Sequence, residues 1–336
     1  MKGEDLHMKR LIAALMALVL VLVTGCGALA EERKTIAYST LGVDSDYWYL
    51  MERGVAQACE DLGYDYVMQS HNEDATQMVS SCQNFIQQNV AGLIVSPCKP
   101  EAMAPIVAAA HAKGIPVTIG DMGDGGTDDD GLVLSDNYGG GTMNAEYILQ
   151  LFEEEAPVSK KIAVVRLNPE AEISQLRCDS AIDVMTAAGY ECVADIFANT
   201  GTTEEGYKCM QDIIAAHPDI AAVFCGNDRE AVGVAQAAID AGLNDVKVAG
   251  FDADESGIEG VRLGNLACTV QQFSYDIGYQ AVVTMDKLIR GEEVEYDSED
   301  NKEVLVPCAL ITADRIADEK EDQIISQTGL TRGELN

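Results

Sequence analysis

From Lys34 onward, short β-rich runs alternate with longer helical stretches, and the chain goes through that alternation twice. Parallel strands need long crossovers, and those crossovers are usually helices, so the pattern implies parallel sheets covered by helices. The expected strands are 35–39, 64–69, 92–96, 116–120 and 132–135, then 161–166, 191–196, 221–225 and 246–250. Between them, apolar residues recur at helical spacing over 51–62, 76–88, 100–113, 144–152, 175–188, 204–216 and 230–241. Several of these helices end at Gly63, Gly114, Gly189 or Gly242, where glycine supplies a left-handed cap.

The two halves can be laid over each other at an offset of about 126 to 131 positions. Leu62-Gly63-Tyr64 answers to Ala188-Gly189-Tyr190, Cys82 to Cys209, 93–96 to 223–226, and Asp121 to Asp252. Both aspartates close a strand, and in open parallel sheets ligands bind outside the carboxyl ends of strands. Two similar lobes are therefore expected, each with an aspartate at its ligand edge. The length of 336 residues agrees, since it exceeds what one hydrophobic core usually holds.

Charge narrows the partners. Twenty-two Lys plus Arg against 56 Asp plus Glu leave a formal charge of −34, a surface that phosphate backbones repel, so nucleic acid is excluded as a partner. Most of that charge is read as solvation of exposed helix faces.

The amino-terminal segment reads as an address rather than as part of the fold. Lys9 and Arg10 precede an apolar run over 11–23, short for a bilayer span but suited to a signal peptide. The run stops at Val23-Thr24-Gly25-Cys26, which resembles the lipobox of bacterial lipoproteins. That resemblance implies a signal peptide over 1–25, lipidation of Cys26, and a protein anchored to the outer face of the cell membrane, in the periplasm of a Gram-negative source. It is favoured over ordinary cleavage near Ala28 or Ala30. Glu4 and Asp5 suit a signal n-region poorly, so translation is expected to start at Met8 rather than Met1.

Beyond Cys26 stand nine cysteines, an odd number, with no CxxC pair, and the chain's four histidines show no ligand spacing. No metal site and no cofactor are expected. The cysteines are read mainly as small buried hydrophobes, with one or two unplaced disulfides left open.

Several spaced motifs together resemble the ribose-type periplasmic sugar-binding proteins, the type I solute receptors of ABC importers, over nearly all of 34–310. They are Ser39-Thr40-Leu41 with Tyr47-Trp48 and Gly54, Ser135-Asp136-Asn137 with Gly140, Asn227-Asp228, Gly250-Phe251-Asp252, and Gln272. The resemblance implies two similar lobes joined by a three-segment hinge. The first lobe would combine 33–137 with 273–305, and the second 138–272 with 306–336. It further implies a monomer that captures a small sugar-like ligand and hands it to a membrane permease. A sensor that presents its closed form to a chemoreceptor or sensor kinase is the alternative. Sugar-responsive repressors share the fold but carry a DNA-binding motif where this chain has a signal segment.

The pocket residues each have a physical reason. Sugars present apolar faces that stack on aromatic rings and hydroxyl rims that need planar polar partners. Tyr47 and Trp48, the latter the only tryptophan and expected in a loop, suit the stacking, while Asp121, Asp252, Asn227 and Gln272 suit the rim. For Asn227 and Asp228, capping of the helix that follows competes with binding. Met122 and Gln175 stand where related receptors carry arginines, which removes two fork-shaped donors and leaves the sugar undetermined. Arg177 matches a neighbouring family arginine. Arg166, at a strand end, is either a compensating ligand contact or a surface charge.

Other chemistry finds no support. Gly139-Gly140-Gly141 lacks the third fingerprint glycine, Asn144 standing in its place, and no Gly-Lys-Ser/Thr follows; a flexible crossing between lobes explains the run better. No nucleophile or metalloprotease motif occurs, so an enzyme is not expected.

Overall fold

Side-chain alternation in β1 (Thr35–Thr40) decides how the first half assembles: Ile36 and Tyr38 enter one core, Ala37 the opposite one. The computed structural model describes residues 33–169, 171–317, 325–331 and 334; the expected signal segment and Cys26 lie outside the described residues. After β1 come α1 (Asp46–Leu62), β2 (Asp65–Ser70), α2 (Ala75–Gln87), β3 (Gly92–Val95), α3 (Met103–His111), β4 (Val117–Gly120), β5 (Gly131–Ser135) and α4 (Asn137–Glu154). Next are β6 (Lys161–Arg166), α5 (Glu172–Ala187), β7 (Glu191–Phe197), α6 (Thr203–Ala216), β8 (Ala222–Cys225), α7 (Asp228–Asp240) and β9 (Lys247–Ala249). The chain closes with α8 (Glu255–Arg262), β10 (Thr269–Gln271), α9 (Ser274–Arg290), β11 (Glu303–Val306), β12 (Ala309–Ile311) and α10 (Ala313–Ile316).

Two parallel sheets result, in the orders β11-β5-β4-β3-β1-β2 and β7-β6-β8-β9. Each places its second strand outside its first and its third inside, a doubly wound order whose switch point lies between first and third strands. The fold is α/β, two similar lobes with helices on both sheet faces. In the first, α1 and α9 cover one face and α2 and α3 the other; in the second, α4 and α5 cover one, α6 and α7 the other. The antiparallel pair β10–β12 extends the second sheet, because β10 bridges the end of β9 at Ala249–Cys268 and Asp252–Gln271.

The chain passes between sheets after β5, after β10 and after β11. Backbone contact between α1 and α9 fixes the returning segment: a Cβ on Gly54 would stand 1.9 Å from the Tyr275 carbonyl oxygen, and one on Gly278 2.1 Å from that of Met51. The four expected cap glycines all have positive φ, from 70° at Gly114 to 84° at Gly189.

Three expectations need correction. Trp48 is not in a loop: α1 begins at Asp46, capped by Ser45, so Tyr47 and Trp48 occupy its first turn. The three glycines are not a flexible crossing but part of α4, whose cap is Asp136. Their role is close packing, since a Cβ on Gly140 would lie 2.7 Å from Phe251 Cζ and one on Gly141 2.1 Å from the Arg177 carbonyl oxygen. The tail does not stay with the second sheet throughout. Ile316 joins the second-lobe core, whereas Ile325 is buried against Leu50 and Tyr275 on α1 and α9. There the Gln327 N–H donates to Asp276 Oδ2 at 2.6 Å, and Gln327 Nε2 donates to the Pro307 carbonyl at 2.6 Å. Among the described residues no two cysteines are joined, and burial pushes the Cys82 and Cys178 thiols up to about 11 and about 12.

Candidate functional site

Both aspartates singled out by the repeat lie just beyond strand ends in left-handed backbone, Asp121 at φ 69° and Asp252 at φ 105°. Aspartate tolerates that region better than most residues. Each is pinned the same way. The Asp121 N–H donates to Val133 and the Asp252 N–H to Val270, both at 2.8 Å, so each carboxylate is held where the carboxyl edge of its sheet faces the other lobe.

Around them the structure gathers four expected residues. The Tyr47 hydroxyl donates to Asp121 Oδ1 and lies 3.5 Å from Gln272 Oε1. Gln272 Nε2 donates to Asp252 Oδ1 at 2.7 Å. Trp48 meets Tyr47 edge to face at 5.2 Å and packs partly on the first-lobe core. Met122 follows Asp121 and is half-buried. From the second lobe, Ile173 packs against the first-lobe core and lies beside Gly123, so both lobes wall the cleft.

Three other expected residues have their polar groups turned elsewhere. Arg166 Nε and Nη2 donate to the two oxygens of Asp195 at 2.6 and 3.1 Å, and Nη1 serves Asp179 and the Gln175 carbonyl. Four of its five donors are thereby engaged within the second lobe. Asn227 caps α7, accepting the Glu230 N–H at 2.8 Å, while its Nδ2 donates to the Gly201 carbonyl. Gln175 Nε2 is directed to the carbonyls of Leu167, Asn168 and Ala171. Asp228 is buried as a brace, accepting from Thr269 Oγ1 at 2.6 Å and the Asp254 N–H at 2.8 Å. Asn227 and Asp228 are taken up by capping and bracing, Arg166 is paired mainly with carboxylates of its own lobe, and the Gln175 amide nitrogen finds backbone carbonyls while its Oε1 is buried without a partner.

Arg177 is the residue whose part exceeded expectation. Its Nη1 donates to Asp252 Oδ1 at 3.0 Å and to the Gly226 carbonyl at 2.8 Å, and its Nε to Asn137 Oδ1 at 2.7 Å. The guanidinium lies 4.0 Å over the Phe251 ring. Its side chain is 10% exposed, that of Asp252 34%, so the carboxylate is recessed yet reachable from the cleft. Asn137 and Phe251 stand within the crossing motifs, beside residues already singled out; that adjacency was the available signal.

Electrostatics follows the burial. Burial pushes Asp121 up to about 6, the Tyr47 hydrogen bond and Arg177 holding it down and Asp252 adding to the rise. Burial likewise raises Asp252 despite Arg177 and Gln272. Polar groups with fixed orientations, aromatic rings and recessed carboxylates can grip a small polyhydroxylated molecule.

Two lobes of the same strand order, three crossings and a polar-aromatic cluster at their facing carboxyl edges define a two-lobed solute-binding protein. The chain belongs to the periplasmic binding protein family: the family model described as "Periplasmic binding protein domain" matches residues 36–293. It is 28% identical over 288 residues to the ribose import binding protein of Haemophilus influenzae, covering 86% of this chain and 96% of that one. A solved periplasmic ribose ABC transporter protein of Conexibacter woesei shares the fold with TM-score 0.76 at 24% identity, covering 87% of this chain and 95% of that one. A carbohydrate transporter solute-binding protein of Agrobacterium radiobacter, solved with D-arabinose, is 26% identical with TM-score 0.69, covering 88% and 100%. With these ribose-type relatives, the chain is a binding protein and not an enzyme.

Proposed function

We propose that this protein captures a small sugar or sugar-like compound outside the cytoplasm by closing its lobes, and delivers it to an ABC importer. The observation that carries this reading is the cluster of Tyr47, Asp121, Asp252, Gln272 and Arg177, drawn from both lobes and the hinge around one cleft. The relatives' names support it: ribose and D-apiose import for two curated relatives, D-arabinose in a solved structure. We place the lobes at 33–137 with 273–305 and at 138–272 with 306–317, the tail at 325–331 resting on the first. The anchor in this proposal is a lipid on Cys26, and the protein acts as a monomer beside its permease. Among the described residues no helix is long and apolar enough to cross a membrane.

Thermal unfolding with D-ribose, D-apiose, D-arabinose and myo-inositol tests the reading. A compound that binds only the folded state stabilises it by about 2.7 kcal/mol at a hundredfold excess over Kd. A saturable rise in Tm with at least one compound is expected; no rise with any counts against a carbohydrate ligand.

A further inference from the structure

The cleft is short of positive charge. The charged groups acting on Asp121 are Arg177 and Asp252, and its hydrogen bond comes from the Tyr47 phenol. Arg177 is already committed to Asp252, Gly226 and Asn137, with its plane on Phe251. Asp252 thus has a cation and the Gln272 amide, whereas Asp121 has one phenol. Further out, Asp254 adds negative potential at Asp252, and Asp252 and Asp228 repel one another. Among the described residues no neighbour restores the balance: Met122 is uncharged, Gln175 directs its amide nitrogen to carbonyls of Leu167, Asn168 and Ala171, and Arg166 is held by Asp195 and Asp179.

Closing the lobes over a neutral polyol would leave one more carboxylate than cation out of water, so Asp121 would have to take up a proton or stay unpaired, and either costs affinity. A ligand that brings its own cation removes the imbalance. We propose that the ligand carries a protonated primary amine, as an aminodeoxy sugar or amino polyol does, with its ammonium seated against Asp121 and its hydroxyls at Asp252 and Gln272. The inference rests on the reading of this cleft as the carbohydrate site. An ammonium has three donors and no acceptor, which suits a carboxylate. The half-buried rings of Tyr47 and Trp48 stand beside Asp121 and favour a cation over an uncovered face, and the chain's charge of −34 draws cations to its surface.

Calorimetry on matched pairs tests it: D-glucose with D-glucosamine, D-galactose with D-galactosamine, and ribitol with 1-amino-1-deoxyribitol. In at least one pair the amine should bind ten or more times more tightly (about tenfold per 1.4 kcal/mol), with the advantage shrinking as pH falls through about 6, where Asp121 takes up a proton. Asp121→Asn, which keeps shape and suits the positive φ, should erase the advantage without lowering the unliganded Tm. Met122→Arg should shift preference toward the neutral member. Should the neutral member bind equally or better in every pair that binds, the ammonium is refuted and the carbohydrate reading stands. Binding of no compound in any pair refutes the ammonium, and overturns the carbohydrate reading as well where none of the four carbohydrates above raises Tm.

Discussion

Glu230 offers the sharpest test of the second lobe's electrostatics. It is fully buried in the first turn of α7, three residues past the Asn227 cap, at a capping-box position near the Gly226 and Asn227 N–H groups, yet neither carboxyl oxygen makes a well-formed hydrogen bond. Burial pushes it from 4.5 up to about 8, the N–H groups and Arg177 pulling it back and Asp252 adding to the rise. Between those values the folded chain keeps a proton that the unfolded chain has released. The raised folded pKa therefore gives stability that is fully present below about 4.5 and lost as pH rises through about 8. At about 1.4 kcal/mol per pH unit, the loss across the window is on the order of 5 kcal/mol. Glu230→Gln keeps the shape and removes the titration. Urea unfolding followed by circular dichroism from about pH 5 to about pH 9 should give curves that nearly coincide at the acid end and diverge toward alkali, the variant becoming the more stable. Asp121 and Asp129, both raised to about 6 mainly by burial, titrate in both proteins and cancel in the comparison. Parallel curves, or a wild type that gains on the variant with rising pH, would refute the reasoning.

Arg177→Ala strands Asp252 and removes the stacking on Phe251, so equilibrium unfolding without ligand should show a loss of about 2–4 kcal/mol; a loss under about 0.5 kcal/mol would mean that the pair contributes nothing net. Trp48 is the only tryptophan and stands beside Tyr47 at the cleft, so its emission should be quenched or shifted on titration with a bound sugar; tight binding with unchanged emission removes the stacking role. Cys26→Ser should release the protein from membranes, and mass spectrometry of the wild type should find a diacylglycerol adduct on an amino-terminal Cys26; an unmodified terminus beyond that position contradicts the lipoprotein reading.

Much of the fold was legible because short runs of β-rich residues, buried on both faces, separate cleanly from longer stretches with apolar residues at helical spacing, as in β1, α1 and β6. Legibility failed where local chemistry hid the period. The starts of α1 and α4 were missed because aromatic and glycine residues read as loop, although in α4 glycine serves contact with Phe251 and Arg177. After 250 the strands β10 and β12 are three residues each, too short to show alternation. In the site, Asp121 and Asp252 were readable because repeat symmetry put both at strand ends, whereas Tyr47 and Gln272 were readable through the motif resemblance. Arg177 was undervalued because it sits inside a helix, where an arginine two residues from Gln175 looks like solvated surface. The inward turn of Arg166 and Asn227 depends on Asp195 and Gly201, partners that spacing along the chain does not disclose.

The central claim is that a small sugar-like molecule is held by closure of the two lobes on this cluster. Small-angle scattering with and without the compound that raises Tm, on the wild type and on Asp252→Ala, tests it most directly. The account predicts that the wild type contracts at saturation and that the variant, at the same concentration, binds at least about tenfold more weakly and contracts less. Saturable binding with unchanged scattering, or an Asp252→Ala variant that binds and contracts as the wild type does, would contradict it.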